Sequence, residues 1–282
     1  GRFILMELRI PRVILGALVG AMLGLTGAVY QAIFDNPLAT PSTVGTTAGA
    51  ALGALAVLVL IPSGGASLPL VSIAAFAGAL LVTFAIAAIA ASGRARINDV
   101  LLAGIAITLA AGAITTGLQF QADIAATFEA VRWSLGHLTQ VGYRGVQLLL
   151  PMTLVCCGIL LAHTRTLETM IGGEERAHAQ GINVRRTRTI CLATGALGVG
   201  ACVAWCGPIA FVGLIVPHLV RLGLGPTRRV LFPMSALGGA AFLVLCDGLA
   251  RWWLPDHDLP VGVVTAMLGA PLLVWLVTRK RA

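Results

Sequence analysis

Charge is what this 282-residue chain has least of: Asp, Glu, Lys and Arg together make up 11% of it, against 58% apolar residues. A soluble globular domain carries roughly 25% charged residues, so that class is excluded, and a mean hydropathy of +0.94 agrees. Alternation of apolar and polar residues is also missing. The apolar runs are continuous, which argues against an outer-membrane barrel, whose strands alternate lipid and lumen faces. Catalytic signatures are absent: there is no HExxH, GxSxG, Walker A loop or GxGxxG fingerprint. Neither a nucleophile–base pair nor two carboxylates lie within the apolar runs, as an intramembrane protease would need.

Acids inside the runs are nearly lacking too. A carrier coupled to protons or sodium places ionisable groups at mid-membrane, and the one acid well inside a run is Asp247. It sits near one end of its run and four residues before Arg251, where an i,i+4 ion pair accounts for it. Energy for any transport would then come from outside the chain. The six cysteines (Cys156, Cys157, Cys191, Cys202, Cys206, Cys246) all fall in apolar runs, with neither zinc spacing nor a disulfide framework. Cys202 and Cys206 share a helix face, yet buried inert thiols are the better reading than a metal pair.

What is present is a series of apolar stretches, each near the twenty or so residues that cross a bilayer. Nine spans are predicted: 13–33, 43–61, 68–91, 99–120, 146–162, 189–206, 209–224, 231–250 and 260–277. The expected fold is all-α and polytopic, a single transmembrane domain over 1–282. The span 209–224 is short and holds Pro217 and His218, making it the weakest crossing. Gly16, Gly20 and Gly24, and again Gly45, Gly49 and Gly53, recur every four residues. Small residues at that spacing let helix backbones approach closely in lipid.

The formal charge of +8 reads as topology, not as a nucleic-acid surface. If loops alternate sides, thirteen basic residues fall on one side and six on the other. The positive-inside rule then puts the C-terminus and the 163–188 loop in the cytoplasm. Arg2, Arg9, Arg12, Arg132, Arg144 and Arg251 fall outside. Nine spans leave residue 1 outside as well, and a further span upstream of Gly1 would resolve that awkward export. The 163–188 loop is the most unusual hydrophilic piece. Gly172-Gly173 and Gly181 bracket a helix-forming EERAHAQ, which suits a docking element or equally a solvated loop helix. The histidines (His137, His163, His178, His218, His257) are scattered; haem ligation is conceivable at His137 or His257, but helix-end or surface roles are favoured.

Four segments resemble one family in order. They are RIPRVILGALVGAMLGLTGAVYQAIFDNPLATP (9–41), GGEERAHAQGINV (172–184), GPIAFVGLIVPHLVRLGLGPTRRVLFPMSALGGA (207–240) and DGLARWWLPDHDLPVGVVTAMLGAPLLVWLV (247–277). Together they resemble the permease subunits of FecCD-type ABC importers for vitamin B12, haem and ferric siderophores, the type II importers, over essentially all of 7–278. The departures are small: Gln180 stands where a Leu is usual, and Pro226-Thr227 where Asp-His is usual.

The resemblance implies ten spans in a full-length member and a homodimer with the substrate pathway on the two-fold axis. It implies two cytoplasmic ATP-binding subunits and a periplasmic substrate-binding protein. The chain itself would then be no enzyme and bind no cofactor, with ATP and Mg on the partner ATPase. The ATPase-coupling residues would be Gly173, Glu174, Glu175, Ala177 and Gly181. The binding protein would dock on Arg9, Arg12 and Arg251. The cytoplasmic gate would use Asn36, Leu38, Ile97 and Asn98, and Thr115, Thr116 and Gln119 would line the pathway. The implied location is the bacterial inner membrane. The expected cargo is a bulky iron chelate, haem or a ferric siderophore, with vitamin B12 as the alternative and an ion-coupled secondary transporter as the contrasting class.

Overall fold

The computed structural model describes residues 2–61, 67–91, 97–139, 142–253 and 259–279, and every regular element among them is helical. Each predicted span becomes a helix: α1 (Ile10–Ile33), α2 (Thr46–Leu60), α3 (Leu68–Ala91) and α4 (Ile97–Gln121), then, after α5 (Ile124–Ser134), α6 (Arg144–Ala162). Short helices α7 (Thr164–Thr169) and α8 (Glu174–Ala179) fill the hydrophilic loop. The chain then forms α9 (Val184–Cys206), α10 (Val212–Leu224), α11 (Arg228–Trp253) and α12 (Val261–Arg279).

Helix α1 is the core of the bundle. Of its most apolar window 72% is buried, against 17% for α4, which lies at the periphery. The glycine stripe explains how α1 reaches the centre. A Cβ on Gly20 would run into the Gly239 carbonyl, and one on Gly27 into that of Gly213. The α1 backbone thus lies directly on α11 and on the start of α10, where packing in lipid gains most from close approach. Gly49 and Gly53 meet Gly78 and Ala74 of α3 in the same way.

Two differences from the sequence reading have physical causes. Helix α10 has 13 residues, about 20 Å at 1.5 Å per residue, too short for a hydrocarbon core of roughly 30 Å. The span read at 209–224 is therefore a short apolar helix, as is α2 with its 15 residues. Helix α10 is preceded by non-helical backbone in which Gly207 (φ 71°) and Phe211 (φ 68°) are left-handed. Helix α5 was not foreseen. It is eleven residues long and carries Glu129 and Arg132, so no search for spans finds it. Its start is set by Asp123, whose carboxylate accepts from the Ala126 N–H at 2.6 Å, an N-cap.

Candidate transport machinery

One end of the bundle is held by a charge cluster. Pro11 lies in the first turn of α1, where it cannot donate to a carbonyl one turn back. The preceding turn, Ile4–Arg9, opens to π-type spacing, with the Ile10 N–H on the Leu5 carbonyl. One residue past Pro11, Arg12 reaches α11. Its Nε donates to both carboxylate oxygens of Asp247, at 2.9 and 3.1 Å, and its Nη2 to Oδ1 at 2.7 Å. Arg251 adds a second contact to the same carboxylate, Nη2 to Oδ2 at 3.3 Å.

The i,i+4 pair expected from sequence is therefore present, but the dominant partner of Asp247 comes from α1. Bidentate geometry makes that the stronger bond, and Asp247 is only 3% exposed. Among the three arginines read as docking residues, Arg12 is turned inward on Asp247. Arg9 is exposed and Arg251 half-buried.

Beside this cluster the 135–139 loop crosses the bundle end. The His137 N–H donates to the Cys206 carbonyl at 2.7 Å, and the Gly262 N–H to the Gly136 carbonyl at 3.4 Å. Burial, then the charges of Arg132 and Arg12, lower the pKa of His137. His257 lies outside the described residues.

At the opposite end α1 stops in the turn that carries Asn36 and Leu38. Asp35 is left-handed (φ 46°), and the Asn36 side chain accepts from the Leu38 N–H at 2.9 Å, an Asx-turn that caps the helix exit. This points Leu38 outward, 52% exposed. Gln31, buried one turn earlier, accepts from Arg221 Nη2 at 3.0 Å and donates to the carbonyls of Gly213 and Leu214 at 3.4 and 3.3 Å. Its role in joining α1 to α10 was missed in the sequence, although a glutamine inside an apolar run is a visible signal. Ile97 and Asn98, the other residues read as the gate, open α4.

The chain then re-enters the bundle as non-helical backbone over 40–45, held by reciprocal bonds between Thr40 and Thr43. The Thr40 N–H donates to Thr43 Oγ1 at 2.9 Å, and that hydroxyl donates to the Thr40 carbonyl at 2.8 Å. A cavity of ≈ 90 Å³ separates this segment from the 208–214 stretch, bordered by Thr40, Ser42, Ile209 and Phe211. Non-helical backbone at membrane depth is tolerated where protein or a cavity, not lipid, surrounds it.

The hydrophilic loop folds into a compact knuckle. Gly173 is left-handed (φ 96°), as is Gly181 (φ 76°), and α8 runs between them. Its end is a Schellman motif: the Gly181 N–H donates to His178 O at 2.9 Å and the Ile182 N–H to Ala177 O at 3.0 Å. Asn183 then caps α9, accepting from the Arg186 N–H at 2.9 Å. Ala177 is fully buried and anchors the knuckle, Glu175 is exposed, and Glu174 opens the helix. Ile171, 60% exposed just before the glycines, is an apolar surface residue that sequence reasoning passed over.

The residues read as lining the pathway lie on peripheral α4. Thr116 is exposed and its hydroxyl donates back to the Gly112 carbonyl at 3.0 Å, while Thr115 and Gln119 are half-buried. A Cβ on Gly112 or Gly117 would meet nothing within 4 Å, so the face of α4 that carries these two glycines is open.

A polytopic all-α bundle with a structured hydrophilic knuckle at one end, and non-helical segments beside a cavity, is the design of a membrane transport permease. The description "FecCD transport family" matches residues 1–279, and the chain belongs to that family. It is 42% identical over 272 residues to the cobalamin import system permease BtuC of Halobacterium salinarum, covering 95% of this chain and 72% of that one. It is 37% identical to the hemin transport permease HmuU of Yersinia pestis (98% and 83% covered). It is 35% identical to the Fe(3+) dicitrate permease FecD of Escherichia coli (99% and 86%). A solved metal-chelate type ABC transporter, in an inward-facing conformation, superposes with a TM-score of 0.90 at 29% identity, covering 99% of this chain and 88% of that one. The chain is the membrane-spanning permease subunit of an ABC importer.

Proposed function

We propose that two copies of this chain form a homodimeric permease in the bacterial inner membrane, with the α8 knuckle and the C-terminus in the cytoplasm. Two ATP-binding subunits seat on the knuckle over Gly173–Gly181 and hydrolyse MgATP; this chain binds no nucleotide. A periplasmic binding protein delivers substrate to the opposite rim, where it meets exposed Arg9 and half-buried Arg251. Arg12 supports that rim through Asp247. The cargo is a bulky iron chelate, haem or a ferric siderophore.

The observation that carries this reading is the knuckle itself. A buried alanine anchors it, two left-handed glycines bracket it, and it presents Glu175 with exposed Ile171 beside it. An exposed apolar residue beside acids fits a protein partner better than a solvated loop. The thirteen-to-six distribution of basic residues supports the orientation. The peripheral α4, with exposed Thr116 and with open space beside Gly112 and Gly117, supports a pathway completed by the second copy. Cobalamin is the second reading of the cargo, favoured by the 42% identity to the halobacterial cobalamin permease.

The test is uptake by proteoliposomes holding the permease, its ATPase and its binding protein, offered haem, a ferric siderophore or cobalamin. ATP-dependent uptake of an iron chelate is expected. Uptake of cobalamin alone would select the second reading, and uptake that follows a proton gradient without ATP would overturn the importer assignment.

A further inference from the structure

Arg228 opens α11 at the end of the bundle that holds the knuckle, and it is 9% exposed. Its Nη2 donates to the carbonyl of Ala32, near the end of α1, at 3.4 Å, long for an N–H···O bond. Its Nη1 is buried with no hydrogen-bond partner among the described residues. Glu168, on α7, is in the matching condition: its Oε2 is buried and has no hydrogen-bond partner among the described residues. The two charges attract each other, and Asp35 in the gate turn attracts Arg228 as well, while Arg221 repels it. Arg221 is itself held on Gln31, so the two arginines grip the end of α1 from different sides.

A guanidinium that holds one carbonyl weakly, keeps a buried donor idle and lies within electrostatic reach of an unpartnered carboxylate oxygen has a second arrangement available. Turning toward Glu168 would exchange a long neutral-acceptor bond for a charge-assisted one, the shorter and stronger kind. It would also release Ala32, and with it the turn Asp35–Leu38. Glu168 sits five residues ahead of Gly173, on the segment that leads into the knuckle. Movement of the knuckle therefore moves the carboxylate toward or away from Arg228.

We propose that Arg228 is a positioning residue of transport that alternates between the Ala32 carbonyl and the Glu168 carboxylate, and so carries movement of the coupling knuckle to the gate turn. The inference rests on the proposed seating of an ATPase on α8. It names the element with two discrete arrangements that a coupling between separated sites requires.

The experiment uses the complete permease–ATPase–binding protein complex in proteoliposomes and measures substrate imported per ATP hydrolysed, normalised to bound ATPase. Glu168→Gln is expected to lower that ratio roughly tenfold, the scale of ordinary coupling free energies, and Glu168→Asp to restore most of it. Arg228→Gln should lower it similarly, and the double variant no further, since one interaction cannot be lost twice. A wild-type ratio in Glu168→Gln, or losses that add in the double variant, would overturn the proposal.

Arg228→Gln could fail to fold, so hydrogen exchange at residues 35–45 provides a second readout on Glu168→Gln alone. Trapping the nucleotide-bound state should raise exchange there in the wild type and leave the variant unchanged. An identical response in both would count against the exchange of partners. A wild-type complex that imports without ATP would instead defeat the ATPase reading, an outcome visible before any variant is compared.

Discussion

At the scale of single residues, the pair Arg12–Asp247 separates two roles that the sequence assigns alike. Arg9 and Arg12 flank the same proline, yet one is exposed and the other is spent on a carboxylate 235 residues away. Side chains that are 12% and 3% exposed form a largely buried ion pair. Removing one partner of such a pair costs about 3–5 kcal/mol, because the other charge stays buried and uncompensated. Asp247→Asn is therefore expected to lower the thermal unfolding temperature of the detergent-solubilised permease markedly, and Arg12→Glu to do so further by setting two carboxylates together. Arg9→Glu should leave that temperature unchanged and slow binding-protein association, most at low salt, as a rim charge steers encounter. Stopped-flow binding at two ionic strengths would check it; an unchanged rate at both would remove Arg9 from the rim. The local pair Asp247–Arg251 was legible in the sequence because helical spacing dictates i,i+4 neighbours. No local rule could announce Arg12, whose partnership exists only once α1 and α11 lie side by side.

At the scale of elements, the knuckle was legible and its neighbours were less so. Paired glycines around EERAHAQ mark a short helix, and the structure supplies the reason for the second glycine: the Schellman closure needs a left-handed residue at 181. A Cβ there has open space, so Gly181→Ala should cost only the backbone term, about 1–2 kcal/mol. That would fray α8 without unfolding the bundle, and ATPase co-purification should fall while permease yield holds. Glu174→Arg with Glu175→Arg is expected to release the ATPase outright; co-purification of this variant at wild-type yield would refute the seating. Helices α5 and α10 show where element reading ended. One is too short and too charged to register as a span. The other looks like a span by composition, although its first residues are held out of the helix by left-handed Gly207 and Phe211.

At the scale of the whole molecule, the glycine stripes decide how the helices pack. Gly20→Val would press a branched side chain into the Gly239 backbone, which has no side chain to move aside. Overpacking costs about 1–3 kcal/mol where side chains can yield, so here the loss should reach the upper end and show as reduced folded yield by size-exclusion chromatography. Gly112→Val, at a position where a Cβ meets open space on α4, is the matched control and should fold normally; equal loss in both variants would disprove the α1–α11 contact.

By itself the sequence determined that the chain is a polytopic helical membrane protein, where its apolar helices lie and which loop is structured. These are consequences of run length, hydropathy and local turn chemistry, which act over a few residues. Through its motifs it also pointed to the family. Only the tertiary structure decided which stripe faces which helix, that Arg12 belongs to Asp247, that Gln31 and Arg228 hold the end of α1, and that two non-helical segments face one cavity. Those outcomes depend on contacts between residues distant in the chain. In lipid, where apolar surface gains nothing from burial against apolar surface, it is close packing and buried polar pairs that select among possible arrangements.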